Sequence, residues 1–181
     1  MSKATWESTT KPILVLTVSA LVVSLLLALI NSVTAPVIEA NQKATTLAAY
    51  VQVLPNVADA AELEEITDYT TEGVTGAVRA ADGSIAVKAE ESGFDGGVVT
   101  VILGFDTAGT VSGIWVDAST QTAGIGTKVA DESYLAQFNG MDGTANVAVG
   151  SGFDGVTGAT YSTNALFDAI NDCINCYNEL A

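Results

Sequence analysis

A long apolar segment near the start of the chain constrains its structure more than any other feature. No charged residue occurs between Pro12 and Ile38, and the stretch Ile13–Ile30 is almost wholly apolar. About 20 helical residues at roughly 1.5 Å each span the hydrocarbon core of a bilayer. The alternative is a cleaved signal peptide, whose apolar region usually runs only about 7–15 residues. The sequence therefore predicts a retained transmembrane helix, which we place at residues 12–35.

Three lysines predict the orientation of this helix. Lys3 and Lys11 precede it, and no lysine or arginine follows it until Lys43. Because positively charged flanks tend to stay on the cytoplasmic side, we expect residues 1–11 in the cytoplasm. The chain is thus predicted to be a single-pass protein of the plasma membrane, with its main domain extracytoplasmic.

The charge and the lack of histidine exclude several classes of function. The chain has 21 acidic residues, six basic residues and no histidine. Residues 1–38 hold two lysines and one glutamate, a net +1, so the remainder of the −15 chain carries −16. Such a surface repels phosphate backbones, which makes nucleic acid a poor partner. Without histidine there is no Ser-His-Asp triad and no His-ligated zinc. Redox chemistry therefore needs a cofactor, and we predict no catalytic or metal-binding residue.

Beyond the apolar segment, the pattern predicts an α+β fold. Apolar residues recur at helical spacing over Glu39–Leu54, before Pro55, and a short helix is expected over Ala58–Thr67. From Gly73 onward, short apolar or alternating segments separated by Gly and Asp predict the strands of an antiparallel sheet. These strands are Val74–Val78, Ile85–Lys88, Val98–Phe105, Val111–Val116 and Ala145–Val149, with a brief helix over Glu132–Phe138.

A final helix and four segments complete the prediction. The helix follows from the spacing of Leu166, Ile170, Cys173, Tyr177 and Leu180, with Ser162, Thr163 and Asn164 as candidate N-caps. We expect a cytoplasmic N-terminus (1–11), a transmembrane helix (12–35), a helical linker (36–72) and a ligand-binding domain (73–181). In that domain, helices flank the antiparallel sheet.

The segment that most directly indicates chemistry lies just before this final helix. It reads Asp154-Gly155-Val156-Thr157-Gly158-Ala159-Thr160. Gly158 and Ala159 have little side-chain bulk, so a planar or phosphorylated ligand can approach the backbone, while Thr157 and Thr160 present hydroxyls. The free N–H groups at the start of a helix favour an anion placed there. The alternative is a tight turn that binds nothing.

This segment matches the pattern Asp-x-x-Ser/Thr-Gly-Ala-Thr of FMN-binding domains at every fixed position, and the chain resembles that family. The resemblance implies that a flavin transferase takes FMN from FAD and joins its phosphate to Thr160 through a phosphoester bond. It further implies that the rest of the segment belongs to the cofactor site. The residues concerned are Asp154, Val156, Thr157, Gly158 and Ala159.

A second element supports the same resemblance. Thr122-Ala123-Gly124-Ile125-Gly126 is similar to the family's loop Glu-Thr-Pro-Gly-Leu/Ile-Gly, which packs near the flavin ring. Gln121 and Ala123 depart from that pattern, where the family has Glu and Pro. The resemblance implies that this loop belongs to the cofactor site, with Thr122, Gly124 and Gly126 in contact with the ring and Ile125 also among the cofactor-binding residues.

Within that family, the short single-span form resembles the G subunits of Rnf complexes, which are membrane-bound, ion-translocating ferredoxin:NAD oxidoreductases. This implies an electron-transfer subunit with covalent FMN that works with other membrane subunits and completes no reaction by itself. Three alternatives stay open. They are a C subunit of a sodium-pumping NADH:quinone reductase, a freestanding flavinylated protein for extracellular electron transfer, and a structural anchor subunit without cofactor.

Two cysteines in the final helix allow two interpretations, a redox or metal-binding role and a packing role. Cys173 and Cys176 form a Cys-x-x-Cys pair, which is a pattern of redox disulfides and of iron–sulfur ligands. One pair cannot complete a four-cysteine site, and the chain has no other cysteine. We therefore expect both cysteines to serve as small hydrophobic residues on the apolar face of the helix. Trp115 and Lys128 lie near the second element in sequence, and either could neighbour the flavin or serve the core and the surface, respectively.

Overall fold

The computed structural model of the protein describes residues 10–54 and 56–181. Nearly all of the predicted segment 1–11, and Pro55, lie outside the described residues. Helix α1 spans Lys11–Val53. Strands β1 to β5 span Glu64–Ile66, Val74–Arg79, Ile85–Ser92, Val98–Phe105 and Val111–Asp117, and helices α2 and α3 span Glu132–Leu135 and Thr160–Leu180. Short 3₁₀ turns lie at Ala60–Glu62, Phe94–Gly96, Gly126–Ala130 and Ala136–Phe138. The chain divides into two units, the first ending at Thr45 and the second spanning Thr46–Ala181.

The first unit is dominated by the apolar part of α1. Its side chains from Lys11 to Thr45 are exposed, including the leucines, valines and isoleucines of the predicted span. Within the described part of the chain, α1 is the one helix long and apolar enough to cross a membrane. A continuous exposed apolar surface of this length is typical of a membrane span. The prediction of a single N-terminal span agrees with this helix.

The second unit is built on a five-stranded antiparallel meander in the order β1-β2-β3-β4-β5. The longest ladder joins β3 to β4, from Ile85 opposite Phe105 to Ser92 opposite Val98. Side chains alternate between the two faces of such a strand. In β4, Val101 and Leu103 are buried on one face and Ile102 on the other. The predicted α+β fold with an antiparallel sheet is confirmed.

Each face of the sheet is covered by a helix of this unit. On one face lies α3, whose Leu166, Ile170 and Cys173 are fully buried against the sheet. On the other face lies the last part of α1, with Tyr50 and Val53 buried against residues such as Ile102. Ser112 donates from its hydroxyl to the Val53 carbonyl at 2.7 Å, which fixes the end of α1 on β5. The sheet therefore has two apolar cores.

Two predicted elements differ in the structure. Residues Ala58–Thr67 were expected to form a helix but hold only the 3₁₀ turn Ala60–Glu62, followed by strand β1, which pairs with β2. Ala145–Val149 is not a strand. The Asn171 carboxamide accepts from the Val147 N–H at 2.8 Å and donates to the Val147 carbonyl at 3.0 Å. A side chain of α3 thus satisfies the backbone groups that a neighbouring strand would otherwise bind.

A carboxyl group on α3 gives this unit a predictable dependence on pH. Asp172 is partly buried, and that burial, together with the neighbouring Glu91 and Asp168 carboxylates, raises its pKa to about 6 from 3.8. The folded protein therefore holds the Asp172 proton more tightly than the unfolded chain. Since the folded state then binds more protons between these two pKa values, the free energy of unfolding falls as the pH rises from about 4 to about 6.

Asp172→Asn is expected to remove this fall in the free energy of unfolding between about pH 4 and about pH 6. At pH 7 the variant should be more stable than the wild type by about 1 kcal/mol or less, because solvent screens a partly exposed group. At pH 4 the two proteins should differ little. Urea unfolding at both pH values measures the effect, with Asp131→Asn as the control, since Asp131 is exposed and makes no capping hydrogen bond. An equal shift in both variants would contradict the assignment.

Candidate functional site

Thr160 is the first residue of α3, and its surroundings are those of a helix N-terminus. Ala159 precedes it in a non-helical conformation, with φ −120° and ψ 43° and no capping side chain. The first backward hydrogen bond runs from the Thr163 N–H to the Ala159 carbonyl at 2.8 Å. The N–H groups before it have no helical acceptor and carry the positive end of the helix dipole. Thr160 is exposed, and no described residue hydrogen-bonds its hydroxyl.

The turn that leads into α3 requires a glycine. Gly158 has a φ of +83°, a left-handed conformation that side chains disfavour, and no other atom lies within 4 Å of the position a Cβ would take. The Ala159 N–H donates to the Val156 carbonyl at 3.0 Å, which closes this turn. Helix α3 therefore begins earlier than expected. The candidate caps Ser162, Thr163 and Asn164 were wrong, because all three lie inside the helix.

The second predicted element folds into a tight turn against this helix start. The N–H groups of Ile125 and Gly126 both donate to the Thr122 carbonyl, at 3.1 and 2.8 Å. Gly124 has a φ of +73°, and its N–H donates to the Thr127 hydroxyl at 3.0 Å. A Cβ on Gly126 would lie 2.6 Å from the Ser162 Oγ. The two sequence elements thus meet in space, and only a glycine permits their close approach at this point.

Between these two elements lies a cleft of about 400 Å³, within the size range of small-molecule sites. Phe94 of the β3–β4 connection and Tyr161 of α3 lie at this cleft with 52% and 67% of their surfaces exposed. Their ring centroids are 5.9 Å apart. The residues lining the cleft are Phe94, Thr122, Ile125, Gly126, Gly158, Ala159, Thr160, Tyr161 and Ser162.

The structure brings most of the predicted site residues to this place. Six of them line the cleft, namely Thr122, Ile125, Gly126, Gly158, Ala159 and Thr160. Val156 and Thr157 line an adjoining groove of about 270 Å³ that shares Gly158 and Thr160 with the cleft. Asp154 and Gly124 line neither space. The Asp154 backbone is instead anchored by a hydrogen bond, in which its carbonyl accepts from the Tyr134 hydroxyl at 2.8 Å.

Four residues at or beside the cleft were not predicted for it. They are Phe94, Tyr161 and Ser162, which line the cleft, and Gln121, which is buried next to it. Tyr161 adjoins Thr160 in the sequence, so its position could have been inferred. Phe94 follows the strand β3 and precedes two glycines, which marks a turn without showing where the turn lies.

Trp115 and Lys128 do not line the cleft. Trp115 packs against the core that contains Tyr50 and Ile102, on the face of the sheet opposite α3. The interpretation of Trp115 as a core residue agrees with this position. Lys128 lies in the 3₁₀ turn that follows the Thr122–Gly126 loop.

Both cysteines are buried in the core under α3, each with 0% of its surface exposed. The Cys173 thiol lies 3.4 Å from the Val87 carbonyl, and burial raises its pKa well above the usual value. Burial also raises the pKa of Cys176 to about 11. Both groups are free thiols in the structure. Their positions agree with the expectation of small apolar core residues.

Buried, protonated thiols should resist alkylation. We expect iodoacetamide to leave Cys173 and Cys176 unmodified in the folded protein at pH 8 and to modify both in denaturant, without prior reduction, because the reactive species is an exposed thiolate. Peptide mass mapping measures the modification at each residue. If labelling in denaturant needed a reductant, the pair would be a disulfide instead.

Comparison with known proteins gives the same assignment as the motifs. The FMN-binding domain family matches residues 93–175, and the RnfG N-terminal region matches residues 1–53. The chain is 28% identical, over 197 aligned positions, to the G subunit of the Na(+)-translocating ferredoxin:NAD(+) oxidoreductase complex of Acetobacterium woodii. That alignment covers 97% of this chain and 95% of the relative. Residues 93–175 therefore match the FMN-binding domain family, and the chain as a whole resembles the G subunit of an Rnf-type complex.

Proposed function

We propose that this protein is an electron-transfer subunit of a membrane-bound, ion-translocating Rnf-type complex and carries FMN as a phosphoester on Thr160. One observation supports this most directly. The exposed Thr160, at the start of α3, lines the same cleft as the Thr122–Gly126 loop, although the two elements are distant in sequence. A structural anchor without cofactor has no need for this convergence.

The residues of the cleft fit FMN in two respects. The free N–H groups at the start of α3 and the small residues Gly158 and Ala159 suit a phosphate group, and the Thr157 hydroxyl lies beside them. The apolar side chains around the cleft, such as Ile125 and Phe94, suit a planar aromatic ring. In this proposal Thr157, Gly158 and Ala159 shape the phosphate site. Thr122 and Gly126, which line the cleft, contact the ring, and Gly124 forms the turn between them.

The charge of the protein explains why a covalent bond is useful. Only four basic residues follow Ile38, namely Lys43, Arg79, Lys88 and Lys128, and none of them lines the cleft. Lys88 is already paired with Glu90 at 2.6 Å. A phosphate monoester held only by polar contacts would oppose the −16 charge of this part of the chain. A phosphoester removes one phosphate charge and prevents loss of the cofactor by dissociation.

Attachment requires a flavin transferase acting on FAD. A bond forms between the Thr160 Oγ and the phosphorus of the FMN half of FAD, the pyrophosphate bond breaks, AMP leaves and the hydroxyl loses its proton. FMN when bound supplies reversible electron transfer. The role of the chain is to hold the cofactor and to present it to the other membrane subunits, so the chain completes no reaction alone.

The location of the domain belongs to the same proposal. Lys3 and Lys11 before the apolar part of α1 favour a cytoplasmic N-terminus, residues 1–11, and an extracytoplasmic FMN-binding domain. We keep 12–35 for the membrane span. The compact unit that carries the site begins at Thr46 and contains β1, so the domain takes in most of the segment 36–72 that was expected to be a linker. Cysteine-scanning with a membrane-impermeant thiol reagent, at exposed positions on either side of the span, measures this orientation.

The mass of the peptide that contains Thr160 tests the central claim. In protein from cells that possess the transferase, we expect a gain equal to FMN less one water on this peptide, and in-gel fluorescence of the denatured protein. An unmodified peptide would favour the structural anchor. Co-purification with other membrane subunits distinguishes an Rnf-type subunit from a freestanding flavoprotein, and the identity of those subunits distinguishes it from the C subunit of an NADH:quinone reductase.

A further inference from the structure

Gln121 is a buried polar residue beside the cleft, in the turn that follows β5. Only 5% of its surface is exposed, and its own N–H donates to the Ala118 carbonyl at 2.9 Å. Its side chain occupies a space that glycines leave open. A Cβ on Gly97 would lie 2.7 Å from the Gln121 Nε2, and a Cβ on Gly126 would lie 2.9 Å from the Gln121 Cβ. A Cβ on Gly93 would collide with its Oε1. The buried side chain of Gln121 therefore fits only because these three neighbouring positions are glycines.

The carboxamide oxygen of Gln121 joins three segments of the site. It accepts from the Phe94 N–H at 3.1 Å and from the Ser162 hydroxyl at 2.8 Å. Phe94 and Ser162 lie 27 and 41 residues away in sequence, on the β3–β4 connection and in the first turn of α3. Since the Phe94 N–H can only donate, the amide oxygen must face it, which fixes the orientation of the amide. One atom thus links the Gln121 loop to both other walls of the cleft.

The other end of the same amide has no partner. The Gln121 Nε2 is buried and makes no hydrogen bond with any described residue. Leaving a buried donor unsatisfied costs roughly 1–3 kcal/mol, and such groups are uncommon enough in folded proteins to need an explanation. A leucine would avoid this cost but would leave the Phe94 N–H and the Ser162 hydroxyl without their acceptor. A glutamate would satisfy both donors but would bring a carboxylate next to the cleft.

We infer that Gln121 is a positioning residue of the proposed flavin site. Its side chain holds Phe94 and Ser162 in place and keeps this buried position uncharged. The inference rests on the proposed function, because the cleft matters only if FMN occupies it. It assigns two separate properties to one side chain. The oxygen fixes the positions of the cleft walls. The uncharged amide avoids the negative potential that a carboxylate at this position would impose on the ring.

The geometric part can be tested without flavin. In full-length protein carrying Thr160→Ala, hydrogen exchange of the Phe94 amide reports directly on its bond to Gln121. Gln121→Ala should speed this exchange roughly tenfold, and Gln121→Glu should leave it close to that of the parent protein. Gln52→Ala is the matched control, since Gln52 is exposed on α1. If Gln121→Ala does not fold, Ser162→Ala removes one of the two bonds and tests the same link through the mobility of the first turn of α3.

The electrostatic part needs the flavin-loaded protein. Gln121→Ala should make the flavin fluorescence several-fold more sensitive to iodide, because the cleft walls loosen. Gln121→Glu should keep the ring shielded but lower its midpoint potential, increasingly so as the pH rises, because a nearby negative charge disfavours the gain of electrons. Gln52→Glu adds the same charge at an exposed position and should leave the potential unchanged. A role in folding alone would not produce this difference between the two glutamate variants.

The outcomes separate this inference from the proposed function. If the wild-type protein carries no flavin on Thr160, the proposed function fails and this inference fails with it. If the flavin is present, but Gln121→Ala leaves exchange and quenching unchanged and Gln121→Glu leaves the potential at its wild-type value, only the role of Gln121 is overturned.

Discussion

Thr160→Ala is expected to abolish covalent flavin completely while leaving the protein folded. The proposed phosphoester needs the Thr160 oxygen, and alanine removes that atom. The side chain is exposed and hydrogen-bonds no described residue, so its loss should change the free energy of unfolding by no more than about 0.5 kcal/mol. Intact mass and in-gel fluorescence measure the flavin, and urea unfolding measures the stability.

The control for this variant is Thr107→Ala. Thr107 is exposed in the turn between β4 and β5 and does not line the cleft, so this variant removes a comparable hydroxyl elsewhere in the same unit and should keep the full flavin content. Two results would contradict the proposal. Flavin retained by Thr160→Ala would place the bond on another hydroxyl. A loss of flavin accompanied by a large loss of stability would give Thr160 a structural role instead.

Local patterning was sufficient to predict the centre of the sheet. Strand β4 has the predicted bounds, Val98–Phe105, because its apolar run is bounded by Gly97 and Asp106. Strand β3 extends beyond its predicted end at Lys88 to Ser92. Its last residues are polar, and they are held by pairing with the opposite strand, as in Ser92 opposite Val98. Such an extension depends on the partner strand, so it could not be predicted from the segment itself.

The same distinction between local pattern and distant contacts applies to the candidate site. The Asp154–Thr160 segment is contiguous, so its glycine, its hydroxyls and its place before a helix could be predicted from the sequence. Its contact with the 122–126 loop was expected only through resemblance to a family. The parts played by Phe94 and Gln121 were not predicted, because they depend on hydrogen bonds between segments 27 and 41 residues apart. Neither residue type, taken alone, indicates such a contact.

A buried aromatic cluster should carry much of the stability of this unit, and Phe138 lies at its centre. Phe138 is fully buried, and its ring centroid is 5.3 Å from that of Phe153, 5.5 Å from that of Phe167 and 6.2 Å from that of Tyr134. Phe138→Ala leaves a cavity among these rings. We expect it to lower the free energy of unfolding by about 3–5 kcal/mol, a large part of the roughly 5–15 kcal/mol typical of a domain. Urea unfolding, followed by tryptophan fluorescence, measures the loss.

Phe94→Ala is the matched control, because it removes the same ring from a position that is 52% exposed, and it should cost about 1 kcal/mol or less. The comparison also bears on the flavin site. Phe153 directly precedes the Asp154–Thr160 segment, so the cluster around Phe138 anchors the start of that segment to the core. At a temperature where Phe138→Ala is still folded, limited proteolysis should therefore cut within 154–160 faster than in the wild type. Equal unfolding midpoints for the two phenylalanine variants would contradict the central role of Phe138 in stability. Unchanged cleavage within 154–160 would mean that the segment is anchored by its hydrogen bonds to Tyr134 and Gln137 and not by the aromatic cluster.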